Sequence, residues 1–209
     1  MEVKVGDLVS VRHYTGTKLY RGVIVRVKYE ELDIKFLEEV ALLNCVAGDP
    51  VVLGFDSESQ IHIASCNVVE VDKKENKLIL KVDAVQTLAN KRFSERFPVS
   101  FLASIRIGES QTSYMAVVKN VSFTGMLVHS KTDFPLYQEL KLNLNLGVMV
   151  SLKAIIVRKQ KNAYNYEYGL KLVYIDATTP ALLKKYLSFL MKEQEDFVRK
   201  LCVPIEPKE

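Results

Sequence analysis

Tryptophan is absent from the chain, and cysteine, histidine, proline and glycine are all scarce: 209 residues include 3 Cys, 3 His, 6 Pro and 9 Gly. So little glycine and proline, beside 48% hydrophobic and 26% charged residues, excludes a low-complexity or disordered polymer and predicts a packed core. The length admits one large domain or two small ones. Cys45, Cys66 and Cys202 lie far apart with no C-x-x-C pair, which excludes a disulfide framework and predicts buried thiols in a reducing compartment. His13, His62 and His129 are equally scattered, so no metal site is expected. No apolar run reaches bilayer length, and Met1–Asp7 lacks a basic region followed by an apolar one; a cytoplasmic protein without a membrane span is expected. Phosphate-loop, G-x-S-x-G and H-E-x-x-H patterns are missing, and no glycine stands two residues before Ser122 to make it an activated nucleophile. A non-enzymatic protein is the expectation.

What is present divides in two. Met1–Thr87 carries 11 basic against 14 acidic side chains, whereas Leu88–Glu209 carries 18 against 11, so the positive charge is concentrated in the second half. That surplus points to an anionic partner or to an ordinary solvated lysine-rich surface.

The first half reads as short strands broken by turns. Leu8–Arg12 follows Gly6-Asp7, and Val23, Val25 and Val27 share one face of a strand whose other face holds Arg26 and Lys28. Gly48-Asp49-Pro50 and Asp56–Ser59 are turn signals, Ile61 and Ile63 alternate with His62, and Asp72–Asn76 is a polar hairpin tip before Leu78, Leu80 and Val82. Short, regularly spaced strands argue for a small antiparallel barrel over residues 1–87, split-barrel-like in outline. Small barrels include RNA binders, and Tyr14, Tyr20, Arg21 and Arg26 are the residues that would serve one; the net acidity of this half opposes that reading.

Residues 88–209 continue the pattern. Val99, Phe101, Ala103, Ile105 and Ile107 alternate with polar residues, as do Tyr114, Ala116 and Val118, and Leu140, Leu142, Leu144 and Leu146. With strands over 148–158 and 164–174, about six strands make a second barrel. Thr179 is expected to cap a helix with Pro180 at its first position, and Leu182, Leu183, Tyr186, Leu187, Leu190 and Met191 form an apolar stripe that packs on the barrel's open end or on a partner. The fold class is therefore mainly β: two small antiparallel barrels with a C-terminal helix.

One stretch carries chemistry. Arg92 and Arg96, four residues apart in Lys91-Arg92-Phe93-Ser94-Glu95-Arg96, can aim two permanently charged forks at one phosphodiester. Past the next strands, Asn120-Val121-Ser122-Phe123-Thr124-Gly125 offers an amide, a hydroxyl and a glycine at short spacing, suited to a purine edge. The alternatives are an exposed charged pair and simple turn chemistry, with Gly125 supplying a left-handed turn residue.

R-x-x-x-R followed by [DN]-x-S-x-x-G resembles the PilZ domain, the bacterial receptor module for cyclic di-GMP, and Tyr166-Glu167-Tyr168-Gly169-Leu170-Lys171-Leu172-Val173 resembles that domain's late glycine-containing strand. The family more often has Asp at the position of Asn120. The first half, loosely, resembles the N-terminal barrel of the flagellar brake proteins. The resemblance implies a cyclic di-GMP site at Arg92, Arg96, Asn120, Ser122 and Gly125, with Lys91 adding charge; no other cofactor and no nucleic acid are expected. Lying between the halves, the arginines imply that binding alters the interdomain arrangement or contacts with a protein partner, either a flagellar motor component or another output system. A PilZ-like scaffold without a ligand is the alternative.

Overall fold

The computed structural model describes residues 3–16, 18–36, 45–56, 60–90, 92, 94–108, 110–174, 176 and 178–202. The chain separates into two compact units, residues 1–91 with 194–209 and residues 92–193.

The first unit is a closed antiparallel barrel of β1 (Leu8–His13), β2 (Tyr20–Lys28), β3 (Glu31–Phe36), β4 (Pro50–Asp56), β5 (Gln60–Asp72) and β6 (Lys77–Ala89), in the order β1-β2-β3-β6-β5-β4. Alternation places Val9, Val11, Leu53, Leu78 and Leu80 inside, as period-two patterning requires. The valines of β2 do not hold one face. The register shifts between Ile24 and Arg26, so Val23 and Ile24 are buried while Val27 lies exposed. In β5 the inward set is His62, Ala64, Cys66 and Val68, with Ile63 and Val69 outside. Phe55 stacks on the His62 ring at 4.7 Å, and Thr87 Oγ1 meets its Nδ1 at 3.1 Å, which satisfies the buried polar ring. His13 bridges Thr15 Oγ1 at 2.7 Å and Asp49 Oδ2 at 3.0 Å, pinning the turn before β4 to the end of β1. At the tip between β5 and β6, Asp72 Oδ1 accepts the backbone N–H groups of Lys74 and Glu75.

The second unit contains β7 (Phe97–Arg106), β8 (Tyr114–Val121), β9 (Gly125–Ser130), β10 (Glu139–Asn145), β11 (Met149–Lys161) and β12 (Tyr166–Val173), closed in the order β10-β11-β12-β9-β8-β7. Its core joins Ala103, Ile105, Leu140, Leu142, Leu144, Leu170 and their neighbours. Tyr168 is wholly buried; its hydroxyl donates to Thr132 O at 2.9 Å and accepts the Phe134 N–H at 2.8 Å, anchoring the connection that follows β9.

Helix α1 (Thr178–Cys202) follows. Its cap is Asp176 rather than Thr179: the carboxylate accepts the Thr179 N–H at 2.7 Å and both threonine hydroxyls, at 2.7 and 2.9 Å. Leu183 enters the second core with Tyr186, Leu187 and Leu190 against it, whereas Leu182 and Met191 of the expected stripe are exposed. The segment from Gln194 belongs with the first unit, where Arg21 Nη2 donates to Gln194 Oε1 at 2.8 Å.

Candidate functional site

Antiparallel pairing of β7 with β8 joins the two sequence motifs. Arg96 immediately precedes β7, whose Phe97 pairs with Val121 and whose Pro98 pairs with Asn120, so the arginine segment enters the barrel opposite the start of the second motif. A side-chain bond ties the segments as well, Ser94 Oγ to Thr124 Oγ1 at 3.0 Å. Lys91 lies outside the described residues.

The turn from β8 to β9 is held from within. Ser122 N–H donates to Gly125 O at 2.8 Å, the Ser122 hydroxyl donates to the same oxygen at 3.1 Å, and Gly125 N–H donates to Ser122 Oγ at 3.1 Å. Ser122 is only 2% exposed, so its hydroxyl is occupied in shaping the turn. Thr124 O accepts the Leu172 N–H at 3.0 Å, and the Tyr174 hydroxyl donates to Phe123 O while the two rings stack at 5.3 Å. Burial pushes the Tyr174 phenol up to about 12.

Gly125 is not in a left-handed conformation, since the positive-φ glycines are Gly6, Gly48, Gly108 and Gly147. It is required for close approach: a Cβ there would stand 2.5 Å from the backbone oxygen of Leu170 on β12. Glycine thus lets β9 and β12 close together beside the turn.

Electrostatics bring in a residue that the motifs do not name. The Arg96 guanidinium is held below its usual pKa by partial burial first, then by the like charges of Arg92 and Arg158. No carboxylate among the described residues forms an ion pair with Arg96. Strand register explains the presence of Arg158: Pro98 pairs with Asn120, Asn120 with Leu127, Leu127 with Gly169 and Gly169 with Arg158. These five residues make one lateral row across β7, β8, β9, β12 and β11. At Gly169 an added Cβ would come within 3.1 Å of Arg158 Cβ, so the glycine leaves the row low between Leu127 and the arginine. Arg158 Nη2 donates to Gln160 Oε1 and Glu167 Oε1, both at 2.9 Å, and Glu167 Oε2 faces His129 Nε2 at 3.2 Å. In sequence, Arg158 is one of several bases in Arg158-Lys159-Gln160-Lys161; only the shift in register between Ile156 and Arg158 assigns it to this row.

The site therefore combines guanidinium groups whose like charges act on Arg96, an amide in a half-buried position at Asn120 and a rigid turn. Such an arrangement can hold an anion whose other parts present polar ring edges. Among the described residues no group of His, Cys, Asp or Glu could hold a metal ion, and no helix is long and apolar enough to cross a membrane.

Residues 90–189 match the family model described as "PilZ domain". No curated protein sequence matches the chain. Among solved structures, the K. pneumonia MrkH–c-di-GMP complex is similar at a TM-score of 0.54 and 12% identity, over 91% of this chain and 89% of that one. YcgR of Escherichia coli in complex with c-di-GMP gives a TM-score of 0.47 at 8% identity, covering 94% of this chain and 88% of that one. The Bacillus subtilis inhibitor of motility, MotI/DgrA, gives 0.44 at 14% identity, covering 93% and 99%. The MrkH likeness extends the shared fold over both barrels. The family match falls on the second unit, which follows an N-terminal six-stranded barrel in the sequence, so residues 90–189 are similar to a PilZ domain by family model and by fold.

Proposed function

We propose that this protein is a non-enzymatic cytoplasmic receptor for cyclic di-GMP. The observation that carries the reading is the pairing of Phe97 and Pro98 with Val121 and Asn120, which sets the Arg92–Arg96 segment against the Ser122–Gly125 turn inside the stretch that matches the PilZ model. MrkH, whose fold this chain shares, is described in complex with that nucleotide.

In this reading Arg92 and Arg96 bind the two phosphates, each through charge-assisted hydrogen bonds that contribute roughly 1.5–3 kcal/mol. Asn120 offers its amide to a guanine edge. Ser122 keeps the turn in shape, Gly125 lets β9 close on β12, and Lys91 adds charge beside the first arginine. Arg158, held by Glu167, places a cation at the far end of the lateral row, past Gly169. Nucleotide binding then changes the arrangement of the two units or their contacts with a protein partner. Only two residues separate Arg92 from the end of β6 in sequence, which supports that step. The flagellar motor is the first partner to test, because the N-terminal barrel resembles that of the flagellar brakes.

Isothermal titration with cyclic di-GMP, beside linear GpG and an Arg92→Ala/Arg96→Ala variant, tests the receptor. The expected result is saturable binding at micromolar affinity or better, about −8 kcal/mol, selective for the cyclic form and lost in the variant. Absence of heat and of any spectral shift would reduce the domain to a scaffold. Small-angle scattering with and without nucleotide tests the rearrangement, and identical profiles would count against it.

A further inference from the structure

The outer face of β7, β10 and β11 carries a second surface, remote from the arginine segment. Arg106 lies at the opposite end of β7 from Arg96, a separation of ten residues or about 33 Å along an extended strand. Strand register sets Arg106 directly beside Lys141 and Lys141 directly beside Lys153, so three exposed cations form a row across three strands. Like charges placed directly opposite one another destabilise a sheet. None of the three is in an ion pair among the described residues; the nearest acid along the strand, Glu139, pairs across the ladder with Ile155 instead.

Two residues along each strand, Ser104, Asn143 and Ser151 form a parallel polar row. The next row is apolar at both ends. Met149 pairs with Asn145 and is 72% exposed, and continuing the register brings Leu102, 62% exposed, to the other side of Asn145. Met115, 58% exposed, sits diagonally across on β8, where its partner is Ser104. One face thus presents an apolar edge, a neutral floor and a basic edge. The two edges are four residues apart, about 13 Å, close to the 10–12 Å width of a helix with its side chains.

We propose that this face docks an acidic amphipathic helix of a partner protein. The helix lies across the strands, its apolar stripe on Leu102 and Met149 and its carboxylates against Arg106, Lys141 and Lys153. Methionine and arginine at the contact suit an adaptable protein interface. Single-stranded nucleic acid is disfavoured, because the three rows hold no aromatic ring on which bases could stack. An anionic membrane is disfavoured too, since three cations fall short of the usual polybasic cluster of about four to eight.

The test uses the full chain and a synthetic 18-residue peptide with leucines at helical spacing and glutamates on the adjoining stripe, against a scrambled peptide of the same composition. Expected are saturable binding of the ordered peptide, amide shifts confined to β7, β10, β11 and their margins, and a loss of about tenfold or more in Lys141→Glu. Lys141→Glu should melt at or above the parent's temperature, because it removes repulsion on both sides; a residue serving only the fold would not behave so. Leu102→Ser/Met149→Ser should weaken binding as well. Equal binding of the scrambled peptide, or no binding at millimolar concentration, overturns the proposal. So does capture of phosphatidylglycerol vesicles or a single-stranded oligonucleotide through the same cations in place of the peptide, or a concentration-dependent dimer that Lys141→Glu abolishes. Cyclic di-GMP titration is unchanged in these variants if the two surfaces are separate.

Discussion

At Gly125 the added methyl of an alanine has nowhere to go. Its neighbour is the backbone oxygen of Leu170, which cannot rotate away as a side chain would. Gly125→Ala is expected to destabilise the second barrel by about 1–3 kcal/mol, the usual range for overpacking, measured by urea unfolding. Lost nucleotide binding in that variant would then report a displaced strand, not a missing contact. Ser122→Ala should act similarly, leaving the half-buried Gly125 N–H without its hydroxyl acceptor, at about 1–3 kcal/mol. The arginines differ in kind. Arg96→Ala should weaken cyclic di-GMP binding on the order of tenfold to a hundredfold with little effect on stability. Arg158→Ala should cost less than tenfold, because its fork is already shared with Glu167 and Gln160; titration that finds no change would put Arg158 outside the site. The spacing of Arg92, Arg96, Asn120, Ser122 and Gly125 is visible in the sequence because each motif is local. Arg158 is not, because its place depends on pairing across five strands and on a one-residue shift that no local pattern encodes.

Among elements, the C-terminal helix shows where local rules give out. Asp176, Thr178 and Thr179 are all capable caps, and propensity alone does not rank an aspartate three residues ahead of a threonine followed by proline. The carboxylate prevails by collecting three donors, and the Thr179 N–H, followed by the two hydroxyls, lowers its pKa to about 2. Unfolded, the same group titrates near ~3.9. A depressed carboxyl pKa contributes stability above the unfolded value, and that contribution fades as pH falls from about 4 towards 2. Helical circular dichroism of Asp176→Asn should therefore show a flatter acid limb in that window than the parent, and Asp176→Ala should fray the first turn at neutral pH. An unaltered acid limb in Asp176→Asn would remove the cap from this role. Strand β5 offers a parallel case. Isoleucines look like the natural inward residues, but the register that buries Ala64, Cys66 and Val68 turns His62 inward and Ile63 outward, and Thr87 and Phe55 make the exchange tolerable.

For the whole molecule, two barrels and a final helix were legible because short alternating strands recur at even spacing and no long helical period interrupts them before Thr178. The sequence does not reveal where the last residues of the helix belong, because an apolar stripe does not name the surface that receives it; Leu183 enters the second core while the segment from Gln194 counts with the first unit. All three cysteines fall in that first unit, Cys45 and Cys66 within its core and Cys202 partly exposed. Burial pushes the Cys66 thiol up to about 12, so it is unreactive in the native state. Disulfide-exchange reagents should label Cys202 first and reach Cys45 and Cys66 only when the first barrel opens. That readout also probes the proposed coupling. Nucleotide at a hundred times its dissociation constant stabilises the unit that binds it by about 2.7 kcal/mol, and a Cys66 labelling rate indifferent to nucleotide would confine the effect to the second unit.

Closure of both sheets has one more consequence. Every strand in each ring has two hydrogen-bonded neighbours, β4 closing on β1 and β10 on β7. Neither ring therefore has a first or last strand with one whole side left open to a foreign peptide, the usual place where sheets recruit extended segments or slide into fibrils; among the described residues one-sided pairing is confined to overhangs such as the last residues of β6, ending at Ala89. Away from such overhangs, these barrels recognise through the chemistry of outward-facing side chains, which makes their specificity rewritable one surface residue at a time while the backbone scaffold stays the same.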